Sequence, residues 1–247
     1  MAITVVLLAA GYAMRLYPLT QDRPKALLLF AGHTILDEVL ASLPNVPDVK
    51  KRILVTNHRF AQQFREWQEA NRVDIHIIDD QTDSPDTRFG AIRDLELARC
   101  MADSTDDLLV VGTDNLFHWS LADFVAQAQR YRPEPSIALW EAPSKELATQ
   151  FGVVVRDRAS RITVFAEKSQ QPPSKEVALC VYYFPAPMCG LIPEFLKTGG
   201  NADAPGYFIE WLVRRGAVYG VMMPGAWYDI WTLEAYQAAA KEWQRVT

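Results

Sequence analysis

The densest set of residues able to do chemistry lies at positions 8–28, LAAGYAMRLYPLTQDRPKALL. Across residues 1–36 the charged groups are Arg15, Arg23 and Lys25 against Asp22 alone, a cationic segment in a chain of formal net charge −5. An apolar run ends in Ala9-Ala10-Gly11 just ahead of these cations. Small residues let backbone come close to a ligand, and Gly11 has the freedom to take positive φ. Successive N–H groups in such a loop form an anion-binding concavity, and a positive loop at a strand end focuses polyanions. The chemistry this set suits is polyphosphate binding. A weakly charged, solvated surface loop is the competing reading of the charges taken alone. Two nucleotide fingerprints are excluded. The pattern GxxxxGK[ST] is absent, and GxGxxG fails because Ala13 and Leu16 stand at its glycine positions.

Three further acidic positions have chemical potential. Asp114 follows the run LLVVGT, which places it at the carboxyl edge of a sheet. Asp229 lies far along the chain between Tyr228 and Ile230, and Glu167 ends a strand beside Lys168. Each has a structural alternative. An Asp after a strand is often a turn or helix-capping residue, and an adjacent Glu-Lys is often an exposed strand end.

Hydrophobic periodicity supplies the elements that must position these groups. Residues 3–9 are a continuous apolar run, as in a central parallel strand. Further strands are predicted over 52–56, 73–78 and 108–112, alternating with helices over 34–43, 59–72 and 91–101. The next helix carries Leu121, Phe124, Val125 and Ala128 on one face, with Ser120 and Asp123 spaced as a capping box. After residue 135 short strands dominate, at 136–141, 152–156, 161–166 and 177–184. Helices at 187–198 and 207–214, a strand at 217–223 and a helix with Leu233, Tyr236, Ala240 and Trp243 on one stripe complete the pattern. Residues 170–174, QQPPS, read as a turn. The expected fold class is α/β: a Rossmann-like, mainly parallel sheet with helices on both faces, in a single compact domain. Residues 1–135 are expected to form a nucleotide-binding half and 136–247 an acceptor-binding half.

Composition narrows the function classes. The 247 residues are 49% apolar and 22% charged, which excludes disorder, collagen and coiled coil. An acidic chain is poorly suited to nucleic acid or to an anionic membrane surface. Three irregularly spaced cysteines and four scattered histidines give no zinc or disulfide framework, and free thiols fit a reducing, cytoplasmic setting. The amino-terminal run lacks a preceding basic residue and a cleavage site, so it reads as a buried strand rather than a signal peptide. No run reaches the length needed to span a bilayer.

The whole pattern resembles a known family. GxGxRLxPLTxxxPKxLL after an LAAG strand is the signature of sugar-1-phosphate nucleotidyltransferases, and this chain has Gly11, Arg15-Leu16, Pro18-Leu19-Thr20 and Pro24-Lys25 in that order. GTDN at 112–115, FGVV at 151–154, FAEK at 165–168, GYFIEW at 206–211 and WYDIWT at 227–232 follow in family order. The glucose-1-phosphate thymidylyltransferase-like branch looks most similar. The resemblance implies an NTP and a sugar 1-phosphate as substrates, with NDP-sugar and pyrophosphate as products. It implies nucleotide contacts from Ala9, Ala10 and Gly11, with Arg15 on the departing pyrophosphate and Lys25 near the phosphates. It puts Mg2+ on Asp114 and Asp229, and the sugar phosphate on Gly152, Glu167 and Lys168. Base recognition is expected from Gln81, whose amide both donates and accepts, and from Gly90, before the helix at 91–101.

Four positions depart from the family pattern. Ala13 replaces the second glycine, Met14 stands where Ser or Thr is usual, Ser169 replaces a proline, and Trp231 replaces a glycine. The segment 82–89, TDSPDTRF, also differs from the usual thymidylyltransferase loop, so the base stays open. None of these removes a charged group. The nearest rival reading is the same chemistry on another phosphorylated acceptor such as phosphocholine. A non-catalytic nucleotide-sugar-binding regulator is a second rival, and a NAD-binding module a third. No hexapeptide repeat follows the last helix, so no acetyltransferase domain is expected. A homo-oligomer is compatible with everything above.

Overall fold

A computed structural model describes residues 1–243. The amino-terminal apolar run forms β1 (Ile3–Leu8), buried along its length except at the half-buried Leu8. A loop with two short 3-10 turns leads into a hairpin of β2 (Leu29–Phe30) and β3 (His33–Thr34). α1 (Ile35–Ala41) starts at Thr34, whose side chain and that of Asp37 cap each other's backbone N–H. β4 (Val49–Thr56), α2 (His58–Asn71), β5 (His76–Asp79), α3 (Ala91–Met101) and β6 (Asp107–Gly112) continue the strand–helix rhythm. β7 (Asn115–Phe117), α4 (Leu121–Ala128) and β8 (Ser136–Glu141) follow. Ser120 caps α4 by accepting the Asp123 N–H at 3.2 Å, which is one half of the expected capping box. Then come α5 (Lys145–Ala148), β9 (Gly152–Arg156), β10 (Ile162–Glu167) and β11 (Glu176–Phe184). The helix expected over 187–198 is divided at Gly190 into α6 (Ala186–Cys189) and α7 (Leu191–Lys197). α8 (Pro205–Arg215), β12 (Tyr219–Met222), β13 (Trp227–Asp229) and α9 (Leu233–Glu242) complete the described elements.

Nine strands make one sheet, in the path β10-β9-β11-β6-β1-β4-β5, with β8 beside β11 and β12 beside β8. β1 is parallel to β4 and β6, β4 to β5, and β12 to β8. β11 is antiparallel to β6, β8 and β9, and β10 is antiparallel to β9. Seven of the nine strands therefore run one way, and β10 and β11 oppose them. The sheet is mixed but largely parallel. Residues along each strand alternate between two cores, as the period of two requires. Val5, Leu7, Leu109 and Val111 face α1, α2 and α4, where Phe64 and Phe124 are fully buried. Val6, Val55, Leu108 and Val110 face α3, α7 and α8, where Ile192 and Phe208 lie. A third cluster, with Leu16, Phe30, Leu116 and Ile230, packs α9 beneath the loop after β1. No described helix is long and apolar enough to cross a membrane.

One buried polar knot ties the two strand directions together. Asp107, fully buried at the start of β6, accepts from the Arg132 guanidinium, from the Tyr183 hydroxyl of β11 and from the Ala186 N–H at 2.8 Å. Removing one partner of a buried pair leaves a charge without its counterion, which typically costs about 3–5 kcal/mol. Arg132→Met is expected to lower the unfolding free energy by about 3 kcal/mol in urea denaturation.

Candidate active site

The strand order sets the loops after β1 and β6 side by side. Leu8 lies opposite Gly112, and Thr113 donates its N–H and its hydroxyl to the Leu8 carbonyl at 3.2 and 2.9 Å. Open α/β sheets bind ligands at this edge, the carboxyl ends of parallel strands. A cleft of about 760 Å³ opens there, a size that suits a small-molecule substrate.

The loop after β1 is held by its carbonyls and leaves its amides free. Asn57, fully buried at the start of α2, donates to the Ala10 carbonyl at 3.0 Å while accepting the Phe60 N–H at 3.1 Å. The Thr20 hydroxyl donates to the Ala13 carbonyl at 2.8 Å. The N–H groups of Ala10, Gly11, Tyr12 and Ala13 meet no acceptor among the described residues. The positive φ expected at Gly11 falls instead on Ala13, at φ 49° and ψ 41°. An L-residue held there costs about 1–2 kcal/mol. The methyl at position 13 is thus accommodated in the bend that a glycine would take more easily. Ala10 and Gly11 line the cleft; Ala9 sits behind them, its N–H donated to Val55 at 2.9 Å.

Asp114 and Asp229 meet through a two-stranded ribbon. β13 pairs antiparallel with β7, which places Asp229 opposite Asn115, and the Ile230 N–H donates to the Asp114 carbonyl at 3.0 Å. Asn115 stiffens the junction. Its amide donates to Asp114 Oδ1 at 2.7 Å and its oxygen accepts the Trp227 indole N–H at 2.9 Å. Lys25 Nζ reaches Asp114 Oδ2 at 2.7 Å. Burial works to raise the Asp114 pKa, but the Lys25 charge and hydrogen bond outweigh it and hold the carboxyl below its ordinary value. No described residue forms an ion pair with Asp229. Burial, then the neighbouring Asp114 charge, push it up to about 7, with the charges of Lys25 and Lys168 opposing. Two hard carboxylates, one ion-paired to a lysine and one without an ion pair among the described residues, form a donor set that fits a magnesium ion shared with phosphate oxygens. Arg15 is exposed on the rim, its guanidinium 4.8 Å over the Trp231 ring.

On the other wall, β9 and β10 pair Gly152 with Glu167. A side chain at Gly152 would come within 2.9 Å of the Glu167 carboxylate, and one at Gly206 of α8 would collide with it. The two glycines thus cradle Glu167, which accepts no hydrogen bond from a described residue. Burial raises its pKa, with Lys168 opposing. Lys168 follows β10 with φ 48°, and its N–H donates to the Phe151 carbonyl at 3.1 Å.

The β5–α3 connection closes the remaining end. Gln81 does not line the cleft. It is exposed at φ 66°, its N–H donates to Asp79 Oδ1 at 2.8 Å, and its amide turns back to the Asp79 carbonyl at 3.4 Å. Gly90 does line it, at φ 86°. Its missing side chain admits neighbouring backbone, since a Cβ there would lie 2.5 Å from the Ala202 carbonyl oxygen. The first N–H groups of α3 donate to that segment, Ala91 to Asp203 at 3.3 Å and Ile92 to Ala202 at 3.0 Å. Arg88 pairs with Asp203 at 2.7 Å across the same seam. Asp80 and Asp94 line the cleft beside it. Burial, then Asp80, raise Asp94 to about 8. Sequence reasoning assigned no role to Asn57, Gly206 or Asp94. Gly206 opens the GYFIEW segment, and Asp94 falls on the helical stripe of Ala91, Leu95 and Ala98 where an apolar residue belongs; Asn57 left no signal.

Known proteins share this architecture. The model of the family described as Nucleotidyl transferase matches residues 4–245. The glucose-1-phosphate adenylyltransferase of Trichlorobacter lovleyi is 25% identical, a match covering 95% of this chain and 64% of that protein. The mannose-1-phosphate guanylyltransferase catalytic subunit beta of Drosophila melanogaster is 28% identical, covering 91% and 58%. The chain therefore spans less than two thirds of the length of these curated relatives. A solved structure described as a glucose-1-phosphate thymidylyltransferase from Bacillus anthracis superposes with a TM-score of 0.80 at 18% identity, covering 100% of this chain and 98% of that one. That likeness establishes the fold.

Asp94 gives this end of the cleft a pH signature. A carboxyl whose pKa rises from 3.8 to about 8 on folding keeps its proton in the native state and loses it in the unfolded chain between those values. Its contribution to stability is complete below pH about 4 and declines as pH rises toward 8, by about 1.4 kcal/mol per unit. Asp94→Asn should therefore raise Tm more at pH 8 than at pH 5. An equal shift at both would contradict the buried, protonated carboxyl.

Proposed function

Since the chain belongs to the nucleotidyl transferase family, we propose that it moves the nucleotidyl group of an NTP onto a sugar 1-phosphate, giving an NDP-sugar and pyrophosphate. The observation that carries the reading is the Asp114–Asp229 pair, set beside Lys25 and the free N–H groups of residues 10–13. Residues 1–135 act as the nucleotide-binding half and residues 136–247 as the acceptor-binding half. The second half also returns Asp229 to the first through the ribbon.

An oxygen of the sugar 1-phosphate attacks the α-phosphorus in line with the bond to the β-phosphate oxygen. That bond breaks, and pyrophosphate leaves with its electron pair. The attacking oxygen is already an anion, so no general base is required, which agrees with a cleft lined by no histidine. The free N–H groups of the loop hold the triphosphate. Arg15 leaves the Trp231 ring to neutralise the departing pyrophosphate, and Lys25 turns toward the phosphates. A preorganised donor of this kind supplies about 3 kcal/mol of transition-state stabilisation. Asp114 and Asp229 would hold Mg2+, which when bound neutralises phosphate charge and fixes phosphate oxygens in position. Glu167, between Gly152 and Gly206, accepts sugar hydroxyls, and Lys168 binds the sugar's phosphate.

A panel of NTPs against sugar 1-phosphates and phosphocholine, read by pyrophosphate release with Mg2+, tests the reading. Turnover is expected with a sugar 1-phosphate. Turnover with phosphocholine alone would reassign the acceptor, and turnover with no pair would sink the transferase. Lys25→Ala and Asp114→Asn should each lower kcat at least about 100-fold, the scale of a lost electrostatic donor or metal ligand. Gly206→Ala should displace the Glu167 carboxylate and raise KM for the sugar 1-phosphate about 10-fold, with KM for the NTP unchanged.

A further inference from the structure

Four cationic side chains among the described residues line the cleft: Arg15, Lys25, Arg88 and Lys168. Lys25 and Arg88 are each held by a carboxylate, Asp114 and Asp203, at 2.7 Å. Arg15 is held differently. It is exposed, no carboxylate of the described residues pairs with it, and its guanidinium lies 4.8 Å over the ring of the half-buried Trp231. A cation gains less over an aromatic face than against an anion, because the ring offers a quadrupole and not a full charge. Arg15 is therefore the cation that an incoming anion displaces from its partner most readily.

The backbone on both sides of this contact is held. Leu16 and Ile230, the chain neighbours of Arg15 and Trp231, are fully buried in one cluster. The Leu16 N–H donates to the Ala13 carbonyl at 2.9 Å and the Trp231 N–H to the Asp229 carbonyl at 3.1 Å. Thr232 then caps α9 by accepting the Ala235 N–H at 3.1 Å. Arg15 can thus exchange partners through its side-chain torsions, with the loop left in place. A contact made only in the empty cleft stabilises that state and lowers the affinity of any ligand that breaks it. We propose that Trp231 is a positioning residue that competes with pyrophosphate for Arg15 and so loosens the hold of the cleft on that product. Phosphate oxygens draw the guanidinium off the ring by accepting its paired N–H groups. Once the new phosphodiester bond is made, the ring gives the guanidinium a place to return to, and pyrophosphate leaves faster. The inference rests on the reading of the chain as an NTP-dependent transferase and adds a determinant of product release. Trp231 stands where the family pattern has glycine, so this competitor belongs to the present chain.

Calorimetric titration of the whole chain with pyrophosphate and Mg2+ tests this in a double-mutant cycle. Trp231→Leu should tighten pyrophosphate binding about 3-fold, the scale of one exposed cation–π contact. Stopped-flow displacement should place the change in the dissociation rate. Trp231→Phe, which keeps an aromatic face, should bind pyrophosphate more weakly than Trp231→Leu. In an Arg15→Gln background, where the ring has no cation to hold, Trp231→Leu should leave the affinity unchanged. A general disturbance of Asp229 or of the loop by the leucine would move both backgrounds alike. Equal or weaker binding on Trp231→Leu in the parent chain, or the same shift in both backgrounds, would overturn the proposal. Absence of pyrophosphate binding by the parent chain would overturn it together with the transferase reading. The expected coupling without turnover on any acceptor would remove only the transferase reading, and turnover without the coupling only the role of Trp231.

Discussion

Two carboxylates cannot be buried side by side without something positive between or beside them. That constraint organises this protein. Asp114 and Asp229 stand 115 residues apart in the sequence, and the β7–β13 ribbon forces them together. Lys25 answers half of the repulsion with a 2.7 Å ion pair to Asp114. Everything around the pair serves this arrangement. The loop after β1 delivers Lys25, Asn115 locks the ribbon's first residue, and α9 packs under both through Phe30 and Ile230. A sheet with two strand directions is the price of the design. Glu167 reaches the cleft at the end of β10, one of the two strands that oppose the rest, and Asp229 reaches it on the separate β7–β13 ribbon.

Three of the seven described non-glycine residues with positive φ lie at the same edge. Ala13, Gln81 and Lys168 all hold positive φ, and they stand at the three loops that frame the cleft. Unfavourable conformations of this sort persist where the surroundings over-determine them. At Ala13 the determinants are visible: the Thr20 hydroxyl fixes its carbonyl, and Asn57 fixes that of Ala10. The loop thus acquires its amide-rich surface from contacts made behind it.

Much of the fold was legible in the sequence because it is written in side-chain period. The buried strands at 3–8 and 107–112, the apolar stripe of α4 and the strand-rich second half all follow from spacing. The cationic loop and the acids at strand ends were legible because residue types at such edges have few other uses. What escaped depends on partners distant in sequence. No spacing shows that Asp229 pairs across from Asn115, that Gly206 leaves room for Glu167, or that Asn57 holds Ala10. The two-residue strands and the ribbon are too short to carry a period. Gln81 is the converse case. Its amide chemistry suits a base, while in the structure that amide donates to the Asp79 carbonyl, a local contact no spacing shows.

The seam between Gly90 and the Ala202–Asp203 backbone has a consequence for the history of such a protein. The loop that ends in Gly90 lies at one end of the cleft, and the segment it packs against leads within a few residues to Gly206 at the other. These two walls are not separate modules. A lineage that remodels one to accept a different molecule must keep the other in register, so changes at the two ends of this cleft should be inherited as matched sets.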